Sequence, residues 1–438
     1  MNSIRKQCLA ATAGAVAVWS SPVWAQDTAP LPTTTQEPTA TEESKTTSEP
    51  LVDIWGMPRR NADYLDITAG LGYSSNPFLQ IGDSQSSAFG RLSARGVHAW
   101  GGERGQSSIT GFVEGTTYLN DYGLESIFAL DANTQQQVSE KVSLYGSVGV
   151  SGDLSGQLSN RFLYVPSFPV VPDPNLPPPP VTVDDPDVFS FAGRQYRIHG
   201  QAGASISVSE RSNVSFSGGA QRTMYKGSLL NDFTDYFASG SYNHTLSERT
   251  TIGARVSVSR TDYENSSANS TIINPALTVR TLLSEDWDAS AAVGISFSDI
   301  EGPLGDSDNA TNLSLDASIC RSLETDRFCG HASRYAQSSS RASVVTTTSV
   351  GIDWYKQLDA DSTLQVSTSV IRYDSQVATL TDFRSHHFRL AASYSRSIGQ
   401  RLSAGADVTV RALRQDGPDA DMDFGGSLFI RYRIGDLG

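Results

Sequence analysis

The sequence predicts an all-β fold, a transmembrane antiparallel up-and-down β-barrel, and three observations carry that prediction. From Asp63 onward, stretches of about 10 to 14 residues alternate apolar and polar with a period of two, the mark of strands with one apolar face. The connections between these stretches alternate between short charged turns and longer segments rich in Asn, Asp, Gly and Pro, as in a chain that zigzags between two unlike sides. Finally, the 438 residues are 38% hydrophobic and 18% charged, and no apolar run reaches the roughly 18 residues that a membrane-crossing helix needs. Strands in hydrocarbon cannot leave backbone N–H and C=O groups free, so the sheet must close on itself.

In chain order, residues 1–25 read as a secretory signal peptide. Arg5 and Lys6 precede an apolar stretch over 9–19, and Val23-Trp24-Ala25 offers a small-residue cleavage site. Cys8 leaves with the leader, and Cys320 and Cys329 remain for a compartment where disulfides persist. Residues 26–62 form an acidic, Thr/Pro-rich periplasmic segment. Its first part, QDTAPLPTTTQEPTATEESKTTSEP, has almost nothing to bury and is expected to be a disordered tether. The outer-membrane barrel then takes 63–438.

Within the barrel, strands are expected near 64–73, 87–100, 107–119, 124–136, 142–152, 194–208, 213–225, 233–246 and 250–262. They continue near 271–283, 287–298, 310–322, 328–336, 344–357, 362–373, 383–397, 402–413 and 421–434. That is about 18 strands with both ends on the periplasmic side; 16 is the alternative, because the pattern is weakest over 310–336. The alternation is plainest in Leu402, Ala404, Ala406, Val408 and Val410 against Ser403, Gly405, Asp407, Thr409 and Arg411.

The short turns resemble one another: Ser139-Glu140-Lys141, Ser209-Glu210-Arg211, Ser247-Glu248-Arg249 and Ser284-Glu285-Asp286, then Glu324-Thr325-Asp326, Asp359-Ala360-Asp361 and Gly399-Gln400-Arg401. The longest connection, about 152–193, contains FPVVPDPNLPPPPVTVDDPD; its polyproline is stiff, and it is expected to be extracellular or folded into the mouth. A soluble propeller also repeats every 40 to 50 residues or so, but the leader, the long strands and the lopsided loops favour the membrane barrel. Tyr64, Tyr73, Trp100, Tyr118, Tyr263, Trp287, Trp354 with Tyr355, and Tyr373 sit at strand ends, where interfacial girdles are expected.

The formal net charge of -14 argues against a nucleic-acid partner, whose phosphates need Lys and Arg. Placing the apolar parity of each strand toward lipid puts Arg91, Arg95, Arg197, Arg255, Arg280, Arg389, Arg411, Arg431 and Arg433 on the lumen side. Fewer acids are expected there, namely Asp66, Glu114, Asp316, Asp353 and Asp407, so the lumen should be net basic and favour anions. The competing reading is that these groups pair with each other merely to solvate the interior. Cys320 and Cys329 flank the short turn at 323–327, which places them for a disulfide.

A search for chemistry finds little. His386 and His387 near Asp382 are the one Asp/His grouping, and rim histidines explain it as well. His98, His199, His244 and His331 are scattered one to a strand without metal-ligand spacing, and no phosphate loop or nucleophile motif occurs. No catalytic site, metal or cofactor is therefore expected, and the chain reads as a non-enzyme.

The segment Leu71-Gly72-Tyr73-Ser74-Ser75-Asn76-Pro77-Phe78, after the opening strand, resembles the Gly-Tyr-x-x-Asn-x-Phe start of the β-barrel porin 2 family. Members of that family often resemble the outer-membrane barrels encoded with exopolysaccharide synthesis and export machinery in Gram-negative bacteria. Many outer-membrane barrels end in an aromatic assembly signal; this sequence ends Arg433-Ile434-Gly435-Asp436-Leu437-Gly438. The resemblance implies an outer-membrane channel taking part in exopolysaccharide export. Its partners would be outer-membrane lipid, the barrel assembly machinery, an acidic polysaccharide and periplasmic export proteins. A general or anion-selective porin for small-solute uptake is the alternative, and a surface enzyme or adhesin anchored by the barrel is a third reading.

Overall fold

A computed structural model describes residues 61–79, 84–102, 104–119, 123–153, 194–227, 230–264, 268–301, 307–376, 384–415 and 422–435. The signal peptide, the acidic segment apart from its last two residues, and the polyproline connection lie outside the described residues. The first nine strands are β1 (Asp63–Ser74), β2 (Ser87–Gly102), β3 (Gly105–Tyr118), β4 (Leu124–Ser139), β5 (Val142–Asp153), β6 (Arg194–Ser209), β7 (Ser212–Lys226), β8 (Phe233–Ser247) and β9 (Thr250–Tyr263). The remaining nine are β10 (Asn269–Leu282), β11 (Trp287–Glu301), β12 (Ser307–Ser322), β13 (Asp326–Ser339), β14 (Ser343–Gln357), β15 (Ser362–Gln376), β16 (Arg384–Ser397), β17 (Leu402–Gln415) and β18 (Asp423–Gly435). Each pairs antiparallel with the next, and β18 pairs with β1, so the sheet is a closed 18-stranded barrel. Closure removes the free edges that hydrocarbon could not solvate. The weak stretch over 310–336 is β12 and β13, which settles the count at 18 rather than 16.

The repeated Ser-Glu-Lys/Arg turns have a common mechanism. The hydroxyls of Ser139, Ser209 and Ser247 accept the backbone N–H groups of Lys141, Arg211 and Arg249, each at 3.3 Å. In all three hairpins the register slips by one residue at that serine, a bulge that tightens the reversal. Asp359 plays the same part between β14 and β15: its carboxylate accepts the Asp361 N–H at 2.8 Å, which holds its pKa below the usual carboxylate value.

Outward parity is apolar, as in Leu71, Leu92, Val113, Leu277, Val293, Val350 and Leu428, all at least half exposed. At the short-turn end this band is bounded by outward Trp100, Tyr242, Phe328, Trp354, Tyr394 and Tyr432, and toward the long-loop end by Tyr73, Tyr236, Phe297 and Phe424. The girdle expectation needs a correction for part of its set. Tyr263 and Tyr373 are buried inside the barrel, Tyr118 packs inward against Phe78 and Phe89, Tyr64 lies under Arg433, and Tyr355 shares the inward parity of Asp353. Strand-end position alone does not distinguish a lipid-facing ring from one turned into the mouth.

One hairpin departs from the plain wall. The β12–β13 ladder stops at Leu315↔Arg334, although β12 continues to Ser307 beside β11 and β13 continues to Ser339 beside β14. Beyond that point the β13–β14 hairpin turns into the barrel. Ser338 hydrogen-bonds Thr261 of β9 at 2.7 Å and Ser270 of β10 at 2.9 Å. Ala336 and Val344 pack on Ile272 of β10. At the tip, the Ser340 carbonyl accepts both the backbone N–H and the side-chain amide of Asn231, and Ala342 rests on the cluster of Tyr225, Leu230, Phe233, Tyr263 and Ala268. Val344, Val345, Thr346 and Thr347 are all at most 2% exposed, so both faces of this strand end are covered by protein.

Candidate functional site

The lumen is the candidate site. All nine arginines singled out in the sequence lie on strand positions of inward parity, set by buried neighbours such as Ser93, Ser205, Thr251, Ala276, His387 and Phe429. Arg327 of β13 joins them and was not anticipated. The anticipated acids Asp66, Glu114, Asp316, Asp353 and Asp407 also face inward, but the expectation that acids are fewer fails. Among the described residues Glu125, Asp131, Asp153, Asp235, Asp288, Asp308 and Asp423 share that parity, so inward carboxylates number twelve against ten arginines. Over the described residues the lumen is close to charge-balanced.

Balance in number is not evenness in space. The inward face of β16, β17, β18, β1 and β2 carries Arg389, Arg411, Arg431, Arg433, Arg91 and Arg95 against Asp407, Asp423 and Asp66. The adjoining inward face of β3, β4 and β5 carries Glu114, Glu125, Asp131 and Asp153 and no arginine. One wall of the lumen is therefore basic and the next acidic. In a low-dielectric frame this arrangement sets up a field across the channel as well as along it.

Several of these groups hold each other. Arg433 forks onto Asp66 through two bonds of 2.7 Å, and Arg91 meets Asp407 at 3.3 Å. Asp235 lies within electrostatic reach of Arg197, and Asp316 of Arg255. His199 and His331 face Asp131 and Asp353 at 3.3 and 3.4 Å. Arg431 has a different setting, its guanidinium 5.7 Å from the Phe429 ring.

Arg411 is the most committed member. Its Nε and Nη2 reach Asp423 at 2.7 and 2.6 Å, and Nη2 also donates to the Pro77 carbonyl at 3.0 Å. Asp423, fully buried, in turn accepts the Ser74 hydroxyl at 2.5 Å and the Asn76 N–H at 2.9 Å. The Tyr-Ser-Ser-Asn-Pro-Phe segment is thereby clamped inside the mouth. Phe78 packs tilted against Tyr118, ring centroids 5.2 Å apart, and a Cβ at Gly72 would overlap the Phe89 ring and the Gly426 carbonyl. The motif that carried the family resemblance is, in this chain, the folding code of an inward loop.

Cys320 and Cys329 face each other across the β12–β13 ladder and are joined, with sulfurs 2.17 Å apart. His386 and His387 point to opposite faces: His387 is buried inside against Tyr373, its ring edge-on at 5.4 Å, while His386 faces outward. Adjacent strand residues cannot converge on one substrate, and Asp382 lies outside the described residues. Among the described residues no three His, Cys, Asp or Glu side chains gather as metal ligands.

A closed antiparallel barrel with an apolar outer band, aromatic girdles and a charged interior defines the class, a transmembrane β-barrel of outer-membrane type. No protein-family model matches the chain, and no curated protein matches it, so the likeness to the β-barrel porin 2 family stands on the Gly-Tyr-x-x-Asn-x-Phe segment. Among solved structures it is similar to the outer membrane protein OpdK from Pseudomonas aeruginosa, at 9% identity over 85% of this chain and 98% of that one, with a TM-score of 0.44. It is similar also to Pseudomonas aeruginosa OccK2 (OpdF) in complex with glucuronate, at 11% identity over 86% and 100% of the two chains, TM-score 0.45. The ferric citrate transporter FecA matches at 10% identity over 82% of this chain, TM-score 0.43, and the chain spans 62% of FecA's length. At these identities the likeness is one of barrel architecture, and no residue role is carried across.

Proposed function

We propose that the chain is a passive outer-membrane channel for small hydrophilic solutes, charged or dipolar, and that the infolded β13–β14 hairpin sets the size of what passes. The observation that carries this reading is the hairpin itself, folded into the interior and pinned against the inner wall at β9, β10 and the end of β7. A wide polymer conduit needs an unobstructed bore, and a hairpin held by buried side chains on both faces works against one. The neighbouring basic and acidic walls suit solutes that carry both charge types or orient a dipole, and contacts to them must be weak for a solute to leave. The alternative of small-solute uptake thus has more support than exopolysaccharide export, which rests on the motif alone.

Vesicle swelling tests the proposal. Reconstituted barrel should admit small amino acids and organic acids and exclude oligosaccharides of a few sugar units. Equal admission of both, or a deletion strain that loses secreted polysaccharide while taking up small solutes normally, would return the reading to polymer export.

A further inference from the structure

The seam between β12 and β13 is closed only over its short-turn half, from Ser322↔Arg327 to Leu315↔Arg334. Beyond it, β12 runs on beside β11 to Ser307 and β13 beside β14 to Ser339. The turns show which backbone groups this leaves at the seam. Leu323 N–H donates to the Asp326 carbonyl and Ser322 N–H to the Asp286 carbonyl, so odd residues of β12 direct their backbone groups at β13 and even ones at β11. Gln357 N–H donates to the Thr325 carbonyl, so odd residues of β13 serve β14 and even ones β12. Leu313, Thr311 and Asn309 on one edge, and Ala336 and Ser338 on the other, therefore point backbone groups into the seam, and among the described residues neither edge has a ladder partner there. An unpaired edge is costly at membrane depth and is a template for a strand.

The two edges fit each other. Continuing the register of Leu315↔Arg334 pairs Leu313 with Ala336, Thr311 with Ser338 and Asn309 with Ser340. Each would be a close antiparallel pair exchanging two backbone bonds. Side-chain parity agrees. Ala336 would stand outward beside exposed Leu313, in line with Phe328, and Gln337 would face the lumen. Val344 would face outward as well, in line with exposed Val350.

The contacts that hold the hairpin inside are of similar weight. Ser338 bonds Thr261 and Ser270, the Ser340 carbonyl accepts two bonds from Asn231, and Ala336 and Val344 cover Ile272. Moving the hairpin exchanges these bonds and a small apolar contact for backbone bonds along the seam, so neither arrangement lies far below the other. That is the condition for a two-state element. The fold line passes through the register pair Arg334↔Thr348, tied by a bond of 2.9 Å from Arg334 Nη1 to Thr348 Oγ1.

We propose that the β13–β14 hairpin has a second position, in the wall, where β13 zips onto the open edge of β12 and the bore widens, so that the hairpin is a gate. The gate rests on the reading that the infolded hairpin sets the size of what passes; the pairing of the two edges does not.

Two cysteine pairs, each placed in the full chain, test this. Asn312→Cys/Gln337→Cys joins register positions of the same kind as Cys320 and Cys329 and bridges only with the hairpin in the wall. Ser270→Cys/Ser338→Cys replaces two hydroxyls 2.9 Å apart and bridges only with the hairpin inside. After mild oxidation in lipid vesicles, non-reducing peptide mapping should find both bridges. The first should raise single-channel conductance about 1.3-fold, and the second should hold it at the native level. If positions 312 and 337 stay as free thiols in a barrel of folded gel mobility while 270 and 338 bridge fully, the second position is overturned and the size reading stands. A 312–337 bridge with unchanged conductance would establish the pairing and overturn both the gate and the size reading. If the first variant does not fold, Asn231→Ala/Ser338→Ala takes its place. Losing the bonds that hold the hairpin inside should raise the time spent at the wider conductance level at least about fivefold, and unchanged occupancy would overturn the proposal.

Discussion

Replacing Asp423 by Asn removes the charge that holds together β17, β18 and the segment after β1. Asp423 accepts hydrogen bonds from the Ser74 and Ser75 hydroxyls, the Asn76 N–H and two guanidinium nitrogens of Arg411, and is fully buried. Arg411 is itself 8% exposed, so the substitution strands a buried cation. Breaking a buried pair from one side costs about 3 to 5 kcal/mol. Removing both charges, with Arg411→Leu/Asp423→Asn, spares that penalty and leaves the Pro77 carbonyl and the amide introduced at position 423 short of partners, at about 1 to 3 kcal/mol in total if they hydrate partly. The double variant should therefore be more stable than Asp423→Asn, with a coupling energy of about 2 kcal/mol or more. Urea unfolding from lipid vesicles, followed by tryptophan fluorescence, measures both. A single substitution within about 0.5 kcal/mol of wild type, or additive effects across the cycle, would refute the clamp.

Arg433 and Arg431 should separate structure from selectivity: Arg433→Gln breaks the two-bond pair with Asp66 and should lower stability by about 1.5 to 3 kcal/mol. Arg431→Gln should instead move the reversal potential toward cations with stability changed by about 1 kcal/mol or less. Both are read by unfolding and by bilayer recordings under a salt gradient. Neutralising the acidic wall with Glu114→Gln/Asp131→Asn should shift selectivity the opposite way, toward anions. Opening the Cys320–Cys329 bridge with Cys→Ser at both positions should cost roughly 2 to 3 kcal/mol, the modest value of a short closed loop; alkylation and intact mass of the unmodified barrel should find no free thiol at either position.

The wall was legible because period-two alternation is a local property. All eighteen strands fall where it places them, most within about three residues at each end, and the Ser-Glu-Lys/Arg turns were visible as repeats before their hydroxyl-to-N–H bonds explained them. What failed was non-local. Asp131 and Asp235 sit on strands whose two faces both hold small or polar residues, so parity there is weakly marked. Asp153 stands just past the strand expected over 142–152, and Asp423 lies near the start of the strand expected over 421–434, where the alternation is only beginning. Ala336 and Val344 have the parity of lipid-facing residues, yet they pack on Ile272, because alternation reports an apolar face without saying which apolar surface covers it. The two-histidine grouping dissolved for the same period-two reason that made the strands visible: neighbours in a strand point apart.

The central claim is that the β13–β14 hairpin narrows the channel, and single-channel conductance tests it most directly. Residues 336–346 are replaced by Asn-Gly, a two-residue turn that joins the register partners Tyr335 and Thr347. Eighteen strands about 4.8 Å apart and tilted by roughly 40° give a backbone radius of about 18 Å, and side chains leave a lumen of roughly 12 Å radius. A two-stranded hairpin with its side chains fills on the order of 100 Å² of that cross-section, about a quarter. The shortened barrel should therefore conduct at least about 1.3-fold more than the intact one and admit larger sugars into vesicles. Unchanged or lower conductance from a variant that keeps its folded gel mobility would contradict the account.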